Sequence, residues 1–296
     1  PKQVKLKRVS FAETKAHIKP IIILFVPVIA YSIYKLMDKI MLGNMTSYSQ
    51  VGYYENAGKI INIPMGVITA LGTVMLPRMS SIVSSGEREK ARDYIRISIK
   101  LVTIIGAAIA FGLIGISDIL VPIYFGAEYL PCISLINLLA VTVFFISWAN
   151  VVRTQYLIPL RFDKIYVLSM VLGALVNFVI NYTLIPQFQG NGAAVGTIAA
   201  EFTVMITQMV LIRHKLPIFR YCSQTIPYLF IGFIMQVVVR FYGKLRGESV
   251  STLVVQVLLG ALVYSIGCVV YFILSKDEIG SLIFNEIKSI KRRRMR

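Results

Sequence analysis

The chain has 296 residues, of which 56% are hydrophobic and only 15% are charged, and its formal net charge is +17. Soluble domains contain about 45–50% apolar and about 25% charged residues, so this composition excludes an ordinary soluble domain. A large positive charge is typical of nucleic-acid-binding proteins, but the basic residues here mark alternate loops and do not form one face. That distribution excludes nucleic acid as the partner.

The chain begins with a basic segment, residues 1–17, that we expect in the cytosol. An amphipathic helix at about 9–18 would lie on the lipid headgroups. The segment is not a signal peptide, because no short apolar region in it ends in a small-residue cleavage site. A chain that starts with Pro1 and a basic linker is expected to be a fragment of a longer protein.

A series of apolar segments follows, each close to the ~20 residues that a membrane-spanning helix needs. They predict an all-α integral membrane protein with about eight transmembrane helices. The predicted spans are 18–42, 57–83, 97–121, 130–152, 165–185, 191–212, 224–242 and 251–274.

The loops between these spans alternate in charge. Basic residues follow the second, fourth and sixth spans, whereas the loops 43–56 and 186–190 contain none. The exception is the last outer loop, which has Lys244 and Arg246. Because cytosolic loops carry an excess of Lys and Arg, the alternation predicts that both termini are cytosolic.

The first span carries charges that a lipid-facing helix would exclude. Lys35, Asp38 and Lys39 lie close to one helical face, and Lys59 opens the next span. A charge in hydrocarbon costs about 2.5–3.5 kcal/mol on insertion scales, so such residues usually face a bundle interior or a water-filled cavity. The alternative is that the lysines snorkel to the outer headgroups and Asp38 pairs with one of them.

Other polar side chains near the spans have two interpretations each. Arg78 and Arg153 lie near the inner ends of spans, where they either anchor the helix in the headgroups or face a cavity. Gln155, Asn177 and Asn181 either line a path or form hydrogen bonds between helices. No phosphate-binding loop, nucleophile elbow, metal-binding pattern or disulfide framework is present, so nothing in the sequence indicates an enzyme.

Three short runs between residues 38 and 80 form a recognisable pattern. They are Asp38-Lys39-Ile40-Met41-Leu42-Gly43, Val51-Gly52-Tyr53-Tyr54 followed by Ala57 and Lys59, and Thr73-Val74-Met75-Leu76-Pro77-Arg78-Met79-Ser80. This pattern resembles the polysaccharide transporter family, the Wzx-type lipid-linked oligosaccharide flippases of the multidrug/oligosaccharidyl-lipid/polysaccharide exporter superfamily. The resemblance covers residues 15–285 by span count, and its specific part is 38–80.

This resemblance implies 12 to 14 helices in two six-helix lobes around a central cavity. The chain would supply helices seven to fourteen, and the first lobe would be missing. The predicted domains are therefore the basic segment 1–17, a six-helix C-terminal lobe 18–213, two additional transmembrane helices 214–275 and a basic cytosolic tail 276–296.

The resemblance also implies a transporter and not an enzyme, located in the cytoplasmic membrane. Its substrate would be an undecaprenyl-pyrophosphate-linked oligosaccharide repeat unit, flipped by alternating access for capsule, exopolysaccharide or O-antigen assembly. Basic residues would meet the pyrophosphate and acidic sugars, while Asp38 would hold the lysines and exchange a proton or Na⁺; no cofactor is implied. The candidate substrate-binding residues are Lys35, Asp38, Lys39, Lys59, Arg78 and Arg153.

Further partners implied are membrane lipid and the polymerase and chain-length proteins of the same pathway. Two rival functions stay open. A drug or ion antiporter of the same superfamily favours acidic residues in its cavity, and the basic excess here argues against it. A membrane-embedded glycan transferase or polymerase needs a large outer loop with catalytic residues, and the outer loops here are short.

Overall fold

The computed structural model describes residues 36–275 without a gap, together with residues 15, 18, 21, 22, 25, 29 and 32. All regular structure in this part of the chain is helical. Helix α1 ends the first predicted span and is described over 36–45. The other helices are α2 (Tyr48–Ser84), α3 (Arg88–Tyr124), α4 (Pro131–Leu139), α5 (Thr142–Val152), α6 (Asp163–Ile212), α7 (Ile218–Ser223), α8 (Ile226–Arg246) and α9 (Val250–Ser275), with a 3₁₀ turn at Ala127–Tyr129 and a π-helix at Arg153–Leu157.

Six helical stretches in the described residues are long and apolar enough to cross a membrane. The prediction of an all-α, multi-pass membrane protein is thereby confirmed. Helix boundaries differ from the prediction mainly at α2 and α3, which begin nine residues earlier than expected, at Tyr48 and Arg88. Polar residues can extend a helix beyond the hydrocarbon at no desolvation cost, so hydropathy underestimates helix length there.

Helix α6 is a hairpin of two predicted spans. Gln189 has left-handed dihedral angles (φ 50°, ψ −127°), and the chain reverses direction at this residue. The two arms, 163–188 and 190–212, run side by side, since Gln208 Nε2 donates to Ser169 Oγ at 3.1 Å and Gly196 lies against Asn181. Glycine allows this approach because a Cβ at position 196 would collide with the Asn181 side chain.

The turns collect at two ends of the bundle. At one end, Arg92 donates to the backbone oxygen of Lys215 at 3.4 Å, and the Lys215 ammonium lies 4.1 Å from the centre of the Phe162 ring. At the other end, Ser134 bonds Asn191 at 2.9 Å and the Gly190 amide donates to Gln50 at 3.2 Å. The predicted basic loops thus lie at one end, and the side of the membrane on which they lie stays a prediction.

Helices α8 and α9 pack on the outer side of α3. Arg240 of α8 and Asp118 of α3 form a two-pronged ion pair, with N–O distances of 2.7 and 2.8 Å. Gln256 of α9 donates to the backbone oxygen of Val239 at 2.9 Å. This part of the structure is the predicted pair of additional helices; the domain boundaries themselves remain predictions, and the segments 1–14 and 276–296 lie outside the described residues.

Candidate functional site

Asp38 lies at the centre of a buried polar cluster. Its side chain is 2% exposed, although it is in an apolar helix. One carboxylate oxygen accepts hydrogen bonds from Tyr54 at 2.8 Å and Thr197 at 3.0 Å, and the other accepts one from Asn181 at 2.6 Å. Burying a carboxylate is tolerated only when its oxygens are bonded in this way.

The α6 hairpin builds half of this cluster. Asn181 comes from its first arm and Thr197 from its second, and both reach Asp38 because the arms pack together at Gly196. The Asn181 Oδ1 and Asn177 Nδ2 atoms are buried without a hydrogen-bond partner in the structure. Carboxylate, hydroxyl and amide oxygens, which are the ligands that hard cations prefer, meet in this cluster.

Lys39 and Lys59 have a partner other than the expected Asp38. Lys39 forms an ion pair with Glu55 at 3.4 Å, and Glu55 also pairs with Lys59 at 3.4 Å. Adjacent residues on α1 therefore have different surroundings: the Asp38 carboxylate is buried and accepts hydrogen bonds from neutral donors, whereas the Lys39 side chain is 39% exposed. Lys35, the other predicted partner, lies outside the described residues.

Two adjoining cavities open along α2. The smaller, about 230 Å³, is lined by Asp38, Lys39, Glu55, Lys59 and Thr197 among others. The larger, about 320 Å³, is lined by both polar and apolar side chains from α2, α5, the π-helix and α6. Asn62, Ile146 and Glu201 line both. The polar residues of the larger cavity are Asn62, Thr69, Asn150, Arg153, Tyr166, Glu201 and Gln208.

Arg153 is held at the wall of the larger cavity. Its guanidinium donates to Asn150 Oδ1 at 2.8 Å and to the Tyr166 hydroxyl at 3.4 Å. Asn150 in turn donates to the backbone oxygen of Ile68 at 3.4 Å and packs directly on Gly72, where a Cβ would displace it. Arg153 begins the π-helix, and such turns are frequent at functional sites because they redirect side chains.

Arg78 is not part of this site. Its side chain is exposed, donates to the hydroxyl of Tyr94 and lies 4.5 Å from the centre of that ring. The position is near the basic end of the bundle, which favours the headgroup-anchor interpretation. Gln155 is fully buried and lines neither of the two cavities.

One face of α2 is polar and exposed over several turns. Its members follow one another at three- and four-residue spacing, so they form a single stripe. The stripe consists of Lys59, Asn62, Gly66, Thr69 and Thr73, all of which are exposed. A membrane helix with such a face is not fully surrounded by lipid; it faces water or another polar protein surface.

Sequence reasoning missed several members of the site. Glu55 is four residues before Lys59, a spacing that already predicts an ion pair on a helix. Glu201 is an acidic residue in an otherwise apolar predicted span, and it is 7% exposed. Glu201 could have been identified by the criterion that drew attention to Asp38, whereas Glu55 lies in the predicted loop 43–56. Thr197 and Tyr54 carry no such signal, because hydroxyl groups are common in membrane helices.

Comparison with known proteins agrees with this picture. Residues 8–134 match a family model described as "Polysaccharide biosynthesis protein". The fold is similar to that of the lipid II flippase MurJ in an inward closed conformation, with a TM-score of 0.75 at 16% sequence identity. The predicted resemblance to the polysaccharide transporters is therefore confirmed. The chain has the fold of a membrane flippase.

The match to MurJ covers 92% of this chain and 57% of the MurJ chain, so the chain spans less than two thirds of that protein. No curated protein sequence matches the chain. Similarity to a flippase and to a polysaccharide biosynthesis family supports the prediction that the chain is not an enzyme.

Proposed function

We propose that this chain is the C-terminal part of a flippase that moves polyprenyl-pyrophosphate-linked oligosaccharide repeat units across the cytoplasmic membrane. The observation that carries the proposal is the pair of adjoining cavities along α2 that contain basic side chains, with Lys39 and Lys59 at one and Arg153 at the other. Ionisable side chains inside a membrane-spanning bundle usually mark a substrate or ion path, and these three come together from α1, α2 and the π-helix.

The two cavities suit the two parts of such a substrate. Lysine ammonium groups are good partners for phosphate oxygens, and Lys39 and Lys59 lie together at the smaller cavity. Amide, hydroxyl and guanidinium groups suit sugar hydroxyls and carboxylates, and the larger cavity supplies Asn150, Arg153 and Tyr166. The MurJ substrate named above, lipid II, supports a lipid-linked substrate here as well; the sugar is left open.

A second lobe completes the transporter in this proposal. The polar stripe of α2 is exposed in the structure and needs a polar or aqueous neighbour. The chain spans 57% of the MurJ chain, which leaves room for such a lobe in the whole protein. Alternating access would then open the cavities first to one side of the membrane and then to the other.

Asp38 is the proposed coupling group, for a proton or Na⁺. Its oxygens face Tyr54, Thr197 and Asn181, all neutral, so its charge is not cancelled by Lys39. A buried carboxylate with neutral partners is neutralised when it takes up a proton, and its charge is compensated when it coordinates Na⁺. Ion binding would alter the contacts between α1, α2 and the α6 hairpin, which are the elements that line the smaller cavity.

Two alternatives make different demands on the same residues. A drug or ion antiporter would use acids in the cavity and dispense with the lysines. The acids Asp38, Glu55 and Glu201 border the smaller cavity, but two lysines accompany them. A glycan transferase or polymerase would need catalytic groups in an outer loop, and the described turns, such as Phe125–Leu130, are short. The cavity observations favour the flippase.

The test is complementation. The chain should be expressed in a flippase-null cell, alone and within a longer protein that supplies a second lobe. We expect polymer export only with the longer protein, and loss of export when Lys39 and Lys59 are both replaced by Gln. Export that survives the double replacement at normal abundance would contradict the proposal, and antiport of a drug by the same protein would favour the first alternative.

Location and partners follow from the same proposal. The protein would lie in the cytoplasmic membrane with both described ends of the chain leading to the cytosol. Polymerase and chain-length proteins would receive the flipped unit, and capsule or O-antigen would be the polymer. Cross-linking of the intact protein in cells measures these contacts directly.

A further inference from the structure

Glu55 is placed between the two lysines of the smaller cavity. Its carboxylate lies 3.4 Å from the ammonium of Lys39 and 3.4 Å from that of Lys59. One oxygen serves each lysine, because Oε2 faces Lys39 and Oε1 faces Lys59. The three side chains form a group, here called the lysine–glutamate triad, with a net charge of +1.

The triad is held loosely. Four other ion pairs have N–O distances of 2.7 to 2.9 Å, among them Arg240 with Asp118 and Lys90 with Glu87. Both contacts of Glu55 are longer, and the side chains of Lys39, Glu55 and Lys59 are 39%, 40% and 63% exposed. Exposed, long ion pairs add little stability, so exchanging the partner of either lysine costs little.

The geometry matches a diphosphate. The two Glu55 oxygens reach two separate cations, as two linked phosphate groups would, but a diphosphate carries more charge and more acceptor oxygens than a carboxylate. We propose that Glu55 is a resident counter-ion that the diphosphate of the substrate displaces, and that it sets the preference for a diphosphate over a monophosphate. This proposal rests on the proposed function.

Displacement is selective because the ligand must replace both contacts. A diphosphate contacts both lysines at once, so its contacts replace both ion pairs that Glu55 gives up. A monophosphate centred on one lysine leaves the other with Glu55 and gains less. Asp38 does not take over Lys39 when Glu55 leaves, because its oxygens already accept hydrogen bonds from Tyr54, Thr197 and Asn181.

The experiment measures binding of farnesyl diphosphate, farnesyl monophosphate and inorganic pyrophosphate in nanodiscs, with the chain in the longer protein that is used for complementation. We expect Glu55→Gln to bind farnesyl diphosphate roughly three- to tenfold more tightly than the unmodified chain, since removing the counter-ion frees both lysines. In the same variant, the ratio of the dissociation constants of farnesyl monophosphate and farnesyl diphosphate should become smaller. Lys39→Gln and Lys59→Gln should each weaken binding.

Glu87→Gln is the matched control, because Glu87 also pairs with a lysine but lies in the α2–α3 turn, away from the cavities. It should leave all affinities unchanged. Weaker farnesyl diphosphate binding by Glu55→Gln, or an unaltered preference, would overturn the proposal and make Glu55 a positioning residue. If neither the unmodified chain nor Glu55→Gln binds farnesyl diphosphate, the proposed function itself fails. Binding of pyrophosphate as tight as that of farnesyl diphosphate would overturn a lipid-linked source for the ligand.

Discussion

The hydroxyl of Tyr54 lies 2.8 Å from the carboxylate of Asp38, and the next residue on each helix makes the second link between α1 and α2. That second link is the ion pair of Lys39 with Glu55. The first contact is buried and the second is partly exposed, and the two are one peptide unit apart on each helix. This relationship connects the proposed coupling group to the proposed diphosphate site.

Replacing Asp38 tests its role as a charged group. Asp38→Asn keeps the size of the side chain but removes its charge. The new NH₂ group replaces one oxygen that accepts hydrogen bonds, so it faces a donor where an acceptor is needed. We expect the free energy of unfolding to fall by about 1–2 kcal/mol and transport to be lost. Transport into vesicles and abundance in the membrane should be measured together.

The matched control for this change is Asp93→Asn, which removes an exposed carboxylate paired with Arg96. Its effects on transport and stability should be small. Normal transport by Asp38→Asn at normal abundance would rule out Asp38 as the coupling group.

Arg153 and Arg78 should respond differently to the same substitution. Arg153→Gln removes a cation from the larger cavity and should reduce transport by about tenfold, on the scale of one charge-assisted hydrogen bond. Arg78→Gln, at the exposed site beside Tyr94, should change transport less than twofold. The measurement is transport rate per unit of inserted protein, and equal losses would assign Arg78 to the substrate path after all.

Gly196 tests the α6 hairpin. A methyl group at this position would meet the Asn181 side chain, so Gly196→Ala should push that amide away from Asp38. We expect a loss of about 1–3 kcal/mol in unfolding free energy, the usual cost of overpacking. Thermal unfolding in detergent measures the stability of Gly196→Ala against that of the unmodified chain.

Gly52→Ala provides the reference for this test. Gly52 is also helical, but a Cβ there has no neighbour within 4 Å. The substitution should be neutral or stabilising, because alanine favours the helix more than glycine does. A lower stability for Gly52→Ala than for Gly196→Ala would contradict the packing of the two arms.

The ion pair between Asp118 and Arg240 should couple α8 to α3. In a double-mutant cycle with Asp118→Asn and Arg240→Gln, we expect a coupling energy clearly larger than that of the exposed pair Glu87 and Lys90. The reason is the two-pronged geometry, which the lysine pair lacks. Equal coupling energies in the two cycles would show that the pair does not join the helices.

Cysteine labelling tests the orientation. Single cysteines at Ser47 and Ala127, at one end of the bundle, should react with an impermeant reagent added outside the cell. A cysteine at Ser85, at the opposite end, should react only after the membrane is opened. Outside labelling at Ser85 would reverse the predicted topology, and a cysteine at Arg296 is expected to behave like the one at Ser85.

The sequence predicted the membrane helices well because apolar length is a local property. The spans 251–274 and Val250–Ser275 agree within one residue at each end. The site was harder to predict, since Asp38 is 143 residues from Asn181 and 159 from Thr197, and contacts at such separation depend on helix packing. Lys39 pairs with Glu55 and not with Asp38 for the same reason: a spacing rule places charges on one face but does not select among the partners that other helices bring there.

The α6 hairpin also determines when Asp38 acquires its partners during synthesis. Tyr54 is made soon after Asp38, but Asn181 follows 143 residues later, about 7–30 seconds at ordinary translation rates. During that interval, the carboxylate lacks the amide that later bonds it at 2.6 Å. Until both arms of the hairpin have entered the membrane, we therefore expect the Asp38 side chain to be hydrated or protonated. A ribosome that stalls between these positions would leave an unfinished polar centre, which quality-control proteases of the membrane can recognise.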